Sequence, residues 1–238
     1  MANPGDTVRW YAEKKKWPLL RKNIMVEGDR DVRYCVLASQ LYSRRFGKWL
    51  VGKDLSMLSA GSGDRGGTEG LFEEFPTLTK LIQTDCDGQC KPLFRLVALL
   101  DNDRAGQALE RALLTQYRTM KAGREIFLLN RVLPRRSSEP NVLARHIAEA
   151  NSEWKGLECE IEDLLGATLL DAFLAEMPNA QIKPVKVVSG HRHFELSDAA
   201  KGRLVLYTKE NALLEDLSGI VELLKSLRFY LGLDPDGA

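Results

Sequence analysis

Cysteine and histidine are scarce: four of one and three of the other in 238 residues. Cys35, Cys86, Cys90 and Cys159 do not suggest a disulfide framework at this length. Cys86-Asp87-Gly88-Gln89-Cys90 offers half of a structural zinc site. Such a site wants four ligands, and His146, His191 and His193 are distant in sequence, so plain loop cysteines are expected. No stretch approaches the ~20 consecutive apolar residues of a membrane span. The opening Met1-Ala2-Asn3-Pro4-Gly5-Asp6 lacks the basic and apolar regions of a signal peptide, which makes the cytoplasm the expected compartment. Nucleotide-binding motifs are missing too. No G-x-x-x-x-G-K-[ST] occurs, and the glycine-rich stretch from Gly61 to Gly70 does not match G-x-G-x-x-G with a helix and an acidic partner in order.

What is present is ordinary in amount and uneven in place. Hydrophobic residues are 44%, charged residues 28%, and the net charge is +1. Residues 1–50 are basic, with Lys14-Lys15-Lys16, Arg21-Lys22, Arg44-Arg45 and Lys48, whereas 151–180 are acidic. Such asymmetry suits a basic face for a polyanion beside an acidic metal pocket, and equally suits solvated helix faces.

Apolar runs and helical spacings alternate along the first half. Strands are expected at Asn23–Val26, within Leu50–Ala60, at Arg95–Leu100 and at Glu125–Leu129. Helices are expected at 7–21, with Pro18 disturbing or ending that piece, and at Asp31–Phe46, Leu71–Gln83 and Arg104–Lys121. That order predicts a parallel sheet with crossover helices and all strand carboxyl ends on one edge. Helices at Asn141–Trp154 and Gly166–Met177, a hairpin around Ser189-Gly190, and a mainly helical stretch from Ser197 to Leu231 follow. The apolar stripe from Leu213 to Leu227 either packs on the chain's own core or covers a partner.

Three carboxylate-rich places stand out. Glu27 ends a strand, Gly28 turns, and Asp31 opens a helix. Asp101 and Asp103 follow an apolar strand, and Gly106 fits a close backbone approach. Glu160, Glu162 and Asp163 crowd a third segment. Each has a plain alternative: Asp31 and Asp103 as helix caps, the third cluster as a solvated helix start. Together at one sheet edge they would repel, so their pKa values rise or a divalent cation neutralises them. Oxygen ligands without histidine or cysteine favour Mg²⁺ or Mn²⁺. Aspartyl phosphatases place Asp-x-Asp after the first strand, and receiver domains need a lone Asp and a Lys elsewhere; neither pattern fits.

Glu27-Gly28 with Asp31, followed far along by a hydrophobic strand and Asp101-x-Asp103-x-Ala105-Gly106, resembles the TOPRIM domain of topoisomerases, bacterial primases, recombination mediators and overcoming-lysogenization-defect (OLD) nucleases. The likeness covers roughly 22–130. "EIEDLL" (160–165) is similar to the acidic segment after the TOPRIM core in OLD-type nucleases and related stand-alone proteins of phage defence. Parts needed by the other members, such as a tyrosine-bearing domain or a four-cysteine zinc module, are missing.

The resemblance implies an α/β, TOPRIM-like Rossmannoid sheet at 23–165, an N-terminal helical segment (1–22) and a mainly helical C-terminal extension (166–238) packed on it. It implies a Mg²⁺-dependent (or Mn²⁺-dependent) nuclease acting on DNA or RNA, including tRNA. Without a Walker motif, any controlling ABC-type ATPase would be a separate subunit. Implied metal ligands are Glu27, Asp31, Asp101, Asp103, Glu160 and Glu162, with Glu27 also as general acid/base. Lys201 or Lys209 would stabilise charge on the phosphate. A homo-oligomer, and a non-catalytic nucleic-acid-binding or regulatory subunit, stay open; a membrane partner is not expected.

Overall fold

Short apolar runs bounded by polar turns form β1 (Lys22–Val26), β2 (Leu55–Ser59), β3 (Arg95–Leu100) and β4 (Ile126–Leu128) in the computed structural model, which describes residues 5–61, 67–137 and 139–238. Of the glycine-rich stretch 61–70, residues 62–66 thus lie outside the described residues. The strands make one parallel sheet in the order β2-β1-β3-β4. Lys22 pairs with Leu55 on one side and Arg95 on the other. Both faces are covered, so burial runs along the strands rather than alternating, and even Asn23 and Ser56 are buried.

Successive side chains go to opposite faces. Ile24, Val26, Leu55, Met57, Val97, Leu99 and Phe127 enter one core; Met25, Leu58, Leu96, Ala98, Leu100 and Ile126 enter the other. Helix α2 (Asp29–Phe46), with Tyr34, Cys35, Ala38 and Tyr42, packs on the first. Helices α1 (Asp6–Lys15), α3 (Gly67–Thr84) and α4 (Arg104–Gln116) pack on the second. The crossover to β2 runs over the first face, and the two returning through β3 to β4 run over the second. This change of face with direction is what uniform crossover handedness requires.

Downstream lie α5 (Pro140–Ala150), α6 (Ala167–Glu176), the hairpin β5 (Lys186–Val188) and β6 (His191–His193), α7 (Asp198–Asn211) and α8 (Ser218–Tyr230). Ser189 and Gly190 both have positive φ, 48° and 77°, as a two-residue hairpin turn demands. Leu217, Ile220, Val221, Leu223, Leu224 and Leu227 are buried in the first core, so the stripe expected at 213–227 covers the chain's own sheet layer, with Leu213 left exposed. Residues 166–238 therefore share the core of the sheet. Arg228, wholly buried, fixes α8 to the loop before β2: it donates to Asp54 (2.6 and 2.8 Å) and to the Leu50 carbonyl (2.9 Å).

Three helices are shorter than expected, the one placed at Asn141–Trp154 ending at Ala150 before a 3-10 turn at Ser152–Trp154. The first stops at Lys15, where Lys16 takes a left-handed φ of 58° and returns its N–H to the last turn, so Pro18 lies beyond the helix. The fourth stops at Gln116, because a turn from Tyr117 to Met120 folds Met120 into the core before β4.

Gly106 ties the fold to the sheet edge. A Cβ there would sit 1.9 Å from the Asp101 carbonyl oxygen; α4 can approach the β3 terminus only without a side chain. Gly106→Ala should lower unfolding free energy by roughly 2–4 kcal/mol in urea titrations. A loss under about 0.5 kcal/mol, the range of neutral surface changes, would show that the approach is not close.

Candidate metal centre

The strand order reverses between β1 and β3, and a crevice opens at such a switch point beyond the carboxyl ends. Glu27 directly follows β1 and Asp101 directly follows β3, so the topology alone sets two carboxylates across it. Asp31 enters from the first turn of α2, where its Oδ2 accepts from the Gly28 N–H at 3.0 Å. The third acidic segment is brought in by a backbone bridge between Asn102 and Cys159 (2.9 and 3.2 Å). The short 3-10 helix Ile161–Leu164 then turns Glu162 inward, leaving it 6% exposed. Lys201, in the first turn of α7, reaches Glu160 at 2.6 Å. Glu27, Asp31, Asp101, Glu162 and Lys201 line one cavity of about 750 Å³, with Arg30, Arg33 and Asp198 also in its wall.

Not every expected residue has this placement. Asp103 caps α4, accepting from the Gly106 N–H at 2.7 Å, and is not in the cavity wall. Glu160 is the partner of Lys201. Lys209 is exposed in the last turn of α7, eight residues and about 12 Å along the helix from Lys201. Of the two lysines, the fold brings Lys201 to the carboxylates. Residues the motifs did not reveal hold the third segment in place. His193 Nδ1 meets Asp163 Oδ2 at 2.7 Å, and Arg131 donates to the Asp163 carbonyl at 3.2 Å. Asp163 also accepts from the Glu160 N–H at 2.8 Å. His193 lies in the expected hairpin and Arg131 in a loop, and neither position points in sequence to Asp163, so only the tertiary fold reveals the contacts.

The electrostatics are one-sided. Burial, then the charges of Asp31 and Asp103, push the Glu27 carboxyl up to about 7, against the opposing Asp101 backbone amide. Burial pushes Glu162 up to about 7 despite Lys201, and Asp31 up to about 6 despite the Gly28 N–H and Lys201. Asp101 is held well above the ordinary carboxylate range by burial and by Asp31 and Glu27. Burial alone would lower Lys201, but Glu162 and Glu160 outweigh it and keep the ammonium charged.

The donors suit a hard divalent ion. Glu27 Oε1 is buried and has no hydrogen-bond partner among the described residues, a group that needs a cation or a proton. The side chains there that can ligate a metal are all carboxylates, which favours Mg²⁺ or Mn²⁺ over zinc. Among the described residues no three of these carboxylates bring ligand oxygens within 4.8 Å of one another. That spacing fits an ion bound partly through waters. Glu158, His193 and Glu195 do approach that closely, but Lys186 (2.5 Å to Glu158), Lys183 (2.6 Å to Glu195) and Asp163 already compensate them. Comparison with protein-family models, curated proteins and solved structures gave no match to this chain.

The raised carboxylates make the metal-free fold pH-dependent. The folded chain holds protons on Glu27 and Glu162 up to about 7, whereas the unfolded chain releases them near 4.5. Folding then takes up protons, so stability is full below that lower value and is lost as pH rises through the folded pKa. In EDTA, wild-type Tm should fall more steeply between pH 4.5 and 7 than that of Glu27→Gln, and the variant should be the more stable at pH 7.5. Mg²⁺ should raise wild-type Tm at pH 7.5. Parallel pH curves for the two proteins would refute the assignment.

Proposed function

We propose that this chain is a Mg²⁺-dependent nuclease with a TOPRIM-like catalytic domain. The observation that carries the reading is the meeting of Glu27, Asp31, Asp101 and Glu162 with one lysine, Lys201, in a single cavity at the switch point of a parallel sheet. Phosphodiester hydrolysis needs an activated water, relief of phosphate charge and protonation of the leaving oxygen. Divalent ions, when bound, lower the pKa of the attacking water and polarise the phosphate. Asp31, Asp101 and Glu162 would hold the ion, with Glu27 completing the shell or facing the substrate.

Glu27 is suited to proton transfer because its pKa, about 7, lies near neutral pH, where an acid/base group works best in both directions. Lys201 is held by Glu160 with its ammonium among the carboxylates; it would stabilise charge that develops on the phosphate. Arg30 and Arg33, in the cavity wall, would meet the phosphodiester backbone. The same resemblance favours an anti-phage effector whose activity a separate ABC-type ATPase subunit controls.

A second reading is a non-catalytic TOPRIM nucleic-acid-binding or regulatory subunit. It is favoured by α1, where Trp10 is 58% exposed with Lys14 Nζ 5.8 Å from its ring centroid, a surface fit for docking.

Purified protein with Mg²⁺ or Mn²⁺ should cleave at least one of plasmid, single-stranded DNA or tRNA, alone or with its ATPase. Glu27→Gln and Asp101→Ala should each lower the rate by about 10²-fold or more, the scale of a lost general acid/base, while keeping the wild-type circular dichroism spectrum. Lys209→Ala should stay within about twofold, against a tenfold or larger loss in Lys201→Met, on the scale of ~1.4 kcal/mol of transition-state stabilisation. Cleavage by both acidic variants at the wild-type rate would remove the site assignment, and inertness under every condition would favour the second reading.

A further inference from the structure

The bridge between Asn102 and Cys159 divides two cavities. Successive residues of an extended segment point to opposite sides. Asp101 lines the acidic cavity, and Asn102, the next residue, lines a separate one of about 390 Å³. The second cavity has a different chemistry. Three amides meet there in a fixed chain: Gln107 Nε2 donates to Asn102 Oδ1 (2.9 Å), Asn102 Nδ2 to Asn130 Oδ1 (3.3 Å), and Asn130 Nδ2 to the Leu128 carbonyl (2.8 Å). The carbonyl can only accept, so it sets the orientation of every amide in the chain. Gln107 Oε1 and one N–H of each amide remain without a partner among the described residues.

Arg104, Arg131 and Lys155 supply positive charge in the same wall, and Trp154 supplies an indole. Trp154 Nε1 and Arg131 Nε are buried behind this wall, and Glu158, the one carboxylate in it, is paired with Lys186. Amides with spare N–H groups, cations and an aromatic ring in one cavity suit a ligand that offers acceptors, a flat face and negative charge. A nucleotide has all three. The volume falls near the lower end of the ~300–1,000 Å³ typical of ligand sites; it suits one extruded nucleotide and not a stacked duplex.

We infer that this amide-lined cavity holds one unstacked nucleotide of a single strand whose backbone passes into the acidic cavity next door. The inference rests on the nuclease reading for the identity of the neighbouring site. It also eases a difficulty of that site, since the carboxylates in its wall repel phosphate and a second anchor for the strand offsets that repulsion. Arg104 and Lys155 attract the backbone, the amide chain and Trp154 engage the base, and a single peptide's thickness separates them from Asp101.

The test measures binding in EDTA, where cleavage is suppressed. Labelled 12-nucleotide single strands, as RNA and as DNA, are titrated with wild-type protein, Trp154→Ala, Gln107→Ala and the exposed Lys155→Glu by fluorescence anisotropy, with the matching duplex as competitor. Wild type should prefer at least one single strand to duplex. Trp154→Ala should weaken it about tenfold, the scale of one stacked base. Lys155→Glu, whose fold is checked by its melting curve, should weaken it and flatten its salt dependence. Equal affinity of all variants, preference for duplex, or no binding by wild type would overturn the proposal. Binding that depends on these residues in a protein that cleaves nothing would uphold the cavity and sink the nuclease reading. Cleavage with binding insensitive to them would do the reverse.

Discussion

Repulsion among carboxylates at the edge of the sheet is the constraint around which this molecule is organised. Glu27, Asp31, Asp101 and Glu162 are drawn together with Lys201 as the cation in their midst. A folded chain left to minimise its own free energy would not do this, since burying a like-charged group is costly unless it is paired. Its persistence in the fold means that each carboxylate is held by something stronger than the repulsion. Glu27 and Asp101 are held by parallel strands whose ends cannot move apart without breaking the ladder. Asp31 is held by the first turn of α2, and Glu162 by a 3-10 helix stapled through Asp163 to His193 and Arg131.

The apolar layers supply that strength. Two cores, one on each face of the sheet, share its strands by strict alternation, and a fully buried Leu or Phe contributes about 1.5–3 kcal/mol. The contribution of α7 and α8 is easy to underrate from chain order alone. They pack beside α2 on the first face, where Tyr230 of α8 meets Phe127 of β4 with ring centroids 5.5 Å apart, and α7 delivers Lys201. What looks in sequence like an appendage is one wall of the site.

The sheet was legible because its strands are short apolar runs that turn polar at once, and β3 ends where the run ends. Asp101 and Glu27 were legible for the same reason: a carboxylate at a strand tip has few structural explanations. Asp103 was ambiguous from the start, since a cap and a ligand use the same residue type at the same spacing, and here it caps α4. Lys201 could not be separated from Lys209 in sequence. Helix phase and distance along α7 decide between them, and neither is set until the helix docks. His193, Arg131 and the Asn102–Asn130 pairing left no trace, because contacts between residues about thirty positions apart have no local pattern. Helix ends at Lys15 and Gln116 were missed where a left-handed residue and a buried methionine override the periodic signal.

The buried Arg228 has a bearing on how the chain comes off the ribosome. It clamps α8 to Asp54 and Leu50, 174 and 178 residues earlier in the chain, so this hold on the loop that leads into β2 waits for α8, whereas Ser39 of α2 holds Leu50 and Val51 from the outset. Lys201 and Glu162 arrive late as well. A nascent chain with Glu27 and Asp101 already emerged still lacks the residues that would complete the cluster, and domains generally mature as units rather than residue by residue. The acidic cluster is thereby complete only once α7 has joined the sheet.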